Sequence, residues 1–222
     1  MNSLADLIAR AGRDFAGRVA AVGEERELTF AEVDEESNRL ASYLAGGLGL
    51  KKGERVAILL HNCPEFIVAD FALIKAGLIR VPVNPRYTSA EIEFIMNHSG
   101  AAALITGAAF AGVMAPIRSA LTALKGVVAA GSSPDMRDAV SWRDALQMGS
   151  AEPFAVDTVP EDGYMLGYTS GTTGRPKGAL TTVRARWANI FNCYANELFV
   201  TPSDAILHVA SPPCRRWRRA TA

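Results

Sequence analysis

The sequence predicts an α/β fold: a mostly parallel sheet with helices on both faces. The first observation behind this is alternation. Short apolar runs at residues 55–60, 78–83, 103–105 and 127–129 are separated by longer stretches with helical spacing. The second is supply. Hydrophobic residues make up 49% of the 222 positions, ample for a packed core.

In chain order, Leu4, Leu7, Ile8 and Ala11 recur at helical spacing and predict a surface helix reaching Phe15. Residues 55–60 predict a buried strand, and residues 65–76 a helix ended by Gly77. A second strand, residues 78–83, is stopped by Pro82 and the Asn84-Pro85 turn. Ser89 is expected to cap a helix to about Asn97, with Glu91 and Glu93 favourably placed in its opening turns. Strands at 103–105 and 127–129 flank a helix expected over 110–123. After the loop Gly131-Ser132-Ser133-Pro134 comes a short helix at 142–147. Residues 151–162 read as a connection inside the domain, and 165–169 as a strand. A long helix is expected over 177–199, and another strand from Ala205 to Val209. No internal repeat or low-complexity tract interrupts this order.

Composition excludes several roles. Basic and acidic groups balance at 23 each, so no global charge recruits nucleic acid or an anionic membrane. Cys63, Cys193 and Cys214 lie too far apart for a CxxC metal or redox motif and suit a reducing, cytoplasmic compartment. No charged start followed by an apolar run opens the chain, so no signal peptide is expected. Residues 99–117 carry no charge but are rich in Ala and Gly, with Thr106-Gly107 in the middle and Pro116 near the end. Strand, turn and amphipathic helix explain them better than a membrane span.

The stretch with most chemistry is Tyr168-Thr169-Ser170-Gly171-Thr172-Thr173-Gly174-Arg175-Pro176-Lys177-Gly178. Glycines let backbone N–H groups approach an anion, hydroxyls donate to phosphate oxygens and can approach magnesium, and Lys177 adds positive charge. The pattern suits a polyphosphate. It is not a nucleotide-hydrolase P-loop, because Lys177 follows Pro176 and precedes Gly178 rather than sitting between Gly and Ser/Thr. Other tempting residues have plainer explanations. His61 and His98 flank element ends and suit solvent or capping contacts, and His208 sits in a predicted strand. Trp187, Phe191 and Tyr194 recur at helical spacing, as core residues do.

This string closely resembles the signature loop of the adenylate-forming superfamily, which includes the acyl-CoA synthetases. That loop runs Ser/Thr-Gly-Thr-Thr-Gly, one residue, then Pro-Lys-Gly. Leu28-Thr29-Phe30-Ala31-Glu32-Val33 resembles an early segment of the same family, followed by a helix through Asn38, Leu40, Ala41 and Leu44. Residues 49–101, with the Asn84-Pro85-Arg86 turn, continue in family style. The resemblance implies residues 1–210 as a partial N-terminal AMP-binding (adenylation) domain. Residues 211–222 form a basic tail outside the family pattern, expected to be unstructured. It further implies a ligase that activates a carboxylic acid, of the fatty-acid branch, to acyl-AMP with ATP and Mg2+. Thioester formation with CoA follows.

Carried onto this sequence, Thr169, Ser170, Gly171, Thr172, Thr173, Gly174 and Lys177 would hold the β- and γ-phosphates. Lys177 would neutralise phosphate charge or brace the loop, and Thr169 is the candidate magnesium ligand. Two departures stand out. Val183 occupies a position where the family commonly has histidine. From Ser211 onward four arginines and no acid appear, a switch that predicts a shifted reading frame and early stop better than a lipid- or nucleic-acid-binding tail. The adenine- and ribose-binding segments and the mobile C-terminal domain of the family are not in this sequence. The expectations are therefore a chain inactive alone, a separately encoded C-terminal half as a possible partner, or a remnant that only binds nucleotide or pyrophosphate.

Overall fold

A computed structural model describes residues 3–131, 136, 138–169, 176–197, 201, 204–207 and 218–219. Helix α1 (Leu4–Asp14) precedes a small antiparallel hairpin, β1 (Val19–Val22) and β2 (Glu27–Thr29). Helix α2 (Phe30–Ser42) follows and ends in a π-helical turn, Tyr43–Gly47. The central elements are β3 (Arg55–Leu59), α3 (Pro64–Lys75), β4 (Ile79–Pro82), α4 (Ser89–Ser99), β5 (Ala101–Gly107) and β6 (Gly126–Ala130). Between β5 and β6 the chain makes a 3-10 turn (Ala108–Phe110), the one-turn α5 (Ala111–Met114) and a second 3-10 stretch (Ala115–Ala120). Then come β7 (Val140–Ser141), α6 (Trp142–Met148), β8 (Gly163–Thr169), β9 (Lys177–Thr182) and α7 (Val183–Asn189). A π-helical segment, Ile190–Glu197, extends α7, and β10 (Ile206–Leu207) pairs antiparallel with β11 (Arg218–Arg219).

Seven strands form the main sheet in the order β7-β6-β5-β3-β4-β8-β9. All neighbours run parallel except β8 and β9. Alternate residues of β3 serve opposite faces. Val56 and Ile58 join Leu40 of α2, Leu44 of the π-helical turn, and Val68 and Leu73 of α3, with Trp142 of α6. Ala57 and Leu59 join Val81, Ile92, Ile95, Met96 and Phe110 on the α4 side. Both faces of the central strands β3 and β5 are therefore dry, which is why these strands read as continuous apolar runs. Each fully buried Leu or Ile here contributes about 1.5–3 kcal/mol relative to exposure.

Several sequence expectations are corrected. The cap of α4 is Thr88 rather than Ser89. Thr88 Oγ1 accepts from the Glu91 N–H while the Glu91 carboxylate accepts from the Thr88 N–H, so the pair closes a capping box. The Ser89 hydroxyl instead donates to the Val113 carbonyl. The helix expected over 110–123 is broken into short pieces, as Gly112 and Pro116 favour. The long helix expected over 177–199 begins instead with strand β9, because residues 177–182 pair along β8. The β1–β2 hairpin was not anticipated.

Trp187 and Phe191 stack on each other with ring centroids 5.7 Å apart, and Phe191 remains 55% exposed, so this pair is not core. Cys63 is half-buried and burial pushes its thiol up to about 11, so it is protonated at neutral pH. Cys214, His208, Ser132, Ser133 and Pro134 lie outside the described residues. Among the described residues no helix is long and apolar enough to cross a membrane.

Candidate phosphate-binding hairpin

The sheet topology gathers one set of loops. Strand β3 is followed by α3 on one face, leading to β4 on its right. Strand β4 is followed by α4 on the other face, leading to β5 on the left of β3. The direction of winding reverses at β3, and in open α/β sheets ligands bind outside the carboxyl ends of the strands at such a reversal. The segment after β8 leaves from that same end, because β8 runs parallel to β4.

Strands β8 and β9 form the hairpin that carries the glycine-rich segment. Their register places Thr169 opposite Lys177 and Tyr168 opposite Gly178. The two residues that flank the segment are thus held together by the ladder, and both are exposed. Ser170, Gly171, Thr172, Thr173 and Gly174 lie outside the described residues. Of the seven residues assigned to phosphate or metal, the structure therefore brings two together, Thr169 and Lys177.

The base of the hairpin is fixed from below. Arg80 of β4 pairs with Asp70 of α3 at 2.6 Å, and its guanidinium lies 5.3 Å from the centroid of the Tyr164 ring and 5.9 Å from that of Phe66. Burial and the nearby Asp70 carboxylate push the Tyr164 phenol up to about 12, so it stays neutral. On the other side, Val183 opens α7 and its N–H donates to the Asp162 carbonyl at 2.9 Å. Thr182 caps that helix by accepting from the Ala185 N–H.

Sequence reasoning passed over one contact at this site. His98, in the last turn of α4, has Nδ1 2.8 Å from the Tyr168 hydroxyl. Phe94 stacks on the other side of the imidazole at 5.3 Å. Periodicity gives no signal for a pairing across 70 positions. His61 instead lies against Phe110, with ring centroids 4.7 Å apart.

Comparison with known proteins decides the family. The pattern of the AMP-binding enzyme family matches residues 8–213. The chain belongs to the AMP-binding enzyme family. Within that family it is 36% identical over 212 residues to a long-chain-fatty-acid–CoA ligase of Salmonella typhimurium, covering 85% of this chain and 38% of the relative. The crystal structure of the anthranilate CoA ligase AuaEII with anthranoyl-AMP superposes with a TM-score of 0.82 at 29% identity, over 88% of this chain and 37% of that one. A long-chain-fatty-acid–CoA ligase, FadD1, from Archaeoglobus fulgidus gives a TM-score of 0.79 at 28% identity, over 91% and 41%. The chain thus spans about two-fifths of the length of these family members. It carries the N-terminal, mainly parallel part of the adenylate-forming fold.

Proposed function

We propose that this chain is the phosphate-holding portion of an ATP-dependent acid–thiol ligase acting on a fatty or other apolar carboxylic acid. The pairing of Thr169 with Lys177 on either side of the glycine-rich segment carries the reading. In the reaction the acid carboxylate attacks the α-phosphorus of ATP, giving acyl-AMP and releasing pyrophosphate. The thiol of CoA then displaces AMP. What residues of this kind contribute is position and charge: donors aimed at the leaving pyrophosphate, with Lys177 supplying fixed positive charge. The Thr169 hydroxyl is exposed at the mouth of the hairpin and fits a magnesium ion held chiefly by phosphate oxygens and water. Such an ion, when bound, offsets the charge of the phosphates. Ser170, Gly171, Thr172, Thr173 and Gly174 complete the proposed binding set.

A second reading rests on the same hairpin: the chain is a non-catalytic nucleotide- or pyrophosphate-binding module. We take the free thiols as suited to a cytoplasmic setting.

One experiment tests the loop assignment that both readings share. Binding of Mg-ATP is measured by calorimetry beside pyrophosphate release with CoA and a panel of fatty and aryl acids. Binding without release by the 222 residues, lost in Lys177→Ala, supports the phosphate-holding reading. Release by this chain alone would overturn the claim that further segments are required. No Mg-ATP binding would overturn the assignment of the loop.

A further inference from the structure

Tyr168 is the residue on which three elements converge. Its hydroxyl meets His98 Nδ1 of α4 at 2.8 Å, and its ring stands edge-on to the imidazole with centroids 5.7 Å apart. Across the ladder it faces Gly178, where a Cβ would lie 3.3 Å from Tyr168 Cζ and 3.1 Å from Leu166 Cδ1. The glycine that follows Lys177 is therefore the gap into which this ring packs. Partial burial raises the phenol above its ordinary value, so the hydroxyl keeps its proton at neutral pH.

The other end of the contact is firmly held. Helix α4 stops at Gly100, which adopts φ 61°, ψ 43°, and leads at once into β5. Arg55 of β3 clamps this turn, with Nε donating to the Ser99 carbonyl at 2.9 Å and Nη2 to the Gly100 carbonyl at 3.3 Å. One residue before that clamp, His98 is kept upright by Phe94, whose ring plane is tilted only 24° from its own.

We propose that His98 is a positioning residue for the phosphate site: by holding Tyr168 it fixes where β8 ends and therefore where Thr169 and Lys177 stand. The proposal rests on the reading of this hairpin as a phosphate holder. Neither His98 nor Tyr168 need touch the ligand. The imidazole ties the hairpin at the sheet margin to the central strands through α4, Gly100 and Arg55, so that the donors at the mouth are set before a phosphate arrives.

The test uses the 222-residue chain with magnesium pyrophosphate as probe. His98→Phe keeps an aromatic ring and loses the hydrogen bond. His98→Asn keeps a polar atom near the place of Nδ1, and Tyr168→Phe removes the hydroxyl. Loss of one hydrogen bond predicts about a fivefold weaker pyrophosphate affinity in His98→Phe and Tyr168→Phe. His98→Asn is expected within about twofold of wild type, and the melting temperature should fall by no more than about 2–4 °C in any of the three variants. Hydrogen exchange at the amides of Gly167, Tyr168 and Thr169, measured without ligand, should quicken in the two Phe variants and recover in His98→Asn. Wild-type affinity in both Phe variants, with binding still lost in Lys177→Ala, would overturn the proposal. If the wild type binds no pyrophosphate, the phosphate reading falls and the exchange data decide whether His98 holds the hairpin. Unchanged exchange would then overturn that as well.

Discussion

Lys75 shows how little a residue's type tells of its place. It is 1% exposed, and its ammonium donates to the Asp34 carboxylate at 2.7 Å, to Asn38 Oδ1 at 2.7 Å and to the Asp34 carbonyl at 2.9 Å. Nothing in the order Ile74-Lys75-Ala76 marks this lysine as buried, because its partners lie some forty positions earlier on α2. Burial lowers its affinity for a proton and Asp34 opposes that, so the charge survives by pairing. Removing the lysine strands the carboxylate. Lys75→Met is expected to cost about 3 kcal/mol in urea unfolding, and adding Asp34→Asn should recover part of the loss. Gly149 is constrained by contact instead. A Cβ there would come 1.9 Å from the Arg39 carbonyl oxygen, so Gly149→Ala must move the chain away from α2. An expected loss of about 1–3 kcal/mol follows from such overpacking, readable as a lowered melting temperature. The candidate residues Thr169 and Lys177 can be picked out one by one, because the chemistry of a hydroxyl or an ammonium is local. The His98 contact cannot be, because it exists only once α4 and β8 lie side by side.

At the scale of elements, three helix starts share one device. Ser3 with Asp6, Thr29 with Glu32 and Thr88 with Glu91 all close capping boxes. The hydrogen bonds from the backbone N–H groups of Ser3, Thr29 and Thr88 hold the three carboxyls below their ordinary values. Since the folded values are depressed, this stabilisation is complete above the unfolded value, 4.5 for the two glutamates, and drains away as pH falls through the folded values. The melting temperature should therefore drop on acidification below about pH 4.5. In a Glu32→Gln, Glu91→Gln double variant it should begin lower at neutral pH and decline less steeply. Central strands and their helices were legible because burial on both faces leaves a strong apolar signal in β3, β4 and β5. Strand β9 was not. Ala179 and Leu180 favour a helix, Thr181 and Thr182 a strand, and the pairing with β8 overrides the local ambiguity. The β1–β2 hairpin is four and three residues long, too short to show a period.

For the whole molecule, the asymmetry of the sheet matters. One margin is β7, two residues long, whereas the other is β9, six residues long, and among the described residues no strand pairs with its outer edge. Leu180 in β9 is 57% exposed, and Phe191 and Ile206 are exposed as well. An open edge of this kind templates association. Light scattering should show average mass rising with concentration, and Leu180→Lys should suppress the rise; a monomer of constant mass at every concentration would contradict this. The same hairpin acts as a ruler. Its antiparallel register fixes the span between Thr169 and Lys177 whatever residues lie between them, while the pleat of β8 decides which way Tyr168 looks. Inserting one residue between Gly163 and Gly167 would turn Tyr168 to the opposite face and present Gly167 to α4, whereas deleting one there would present Thr169. The position of Thr169 and Lys177 thus depends on the count of residues that lead to the loop as well as on the residues within it.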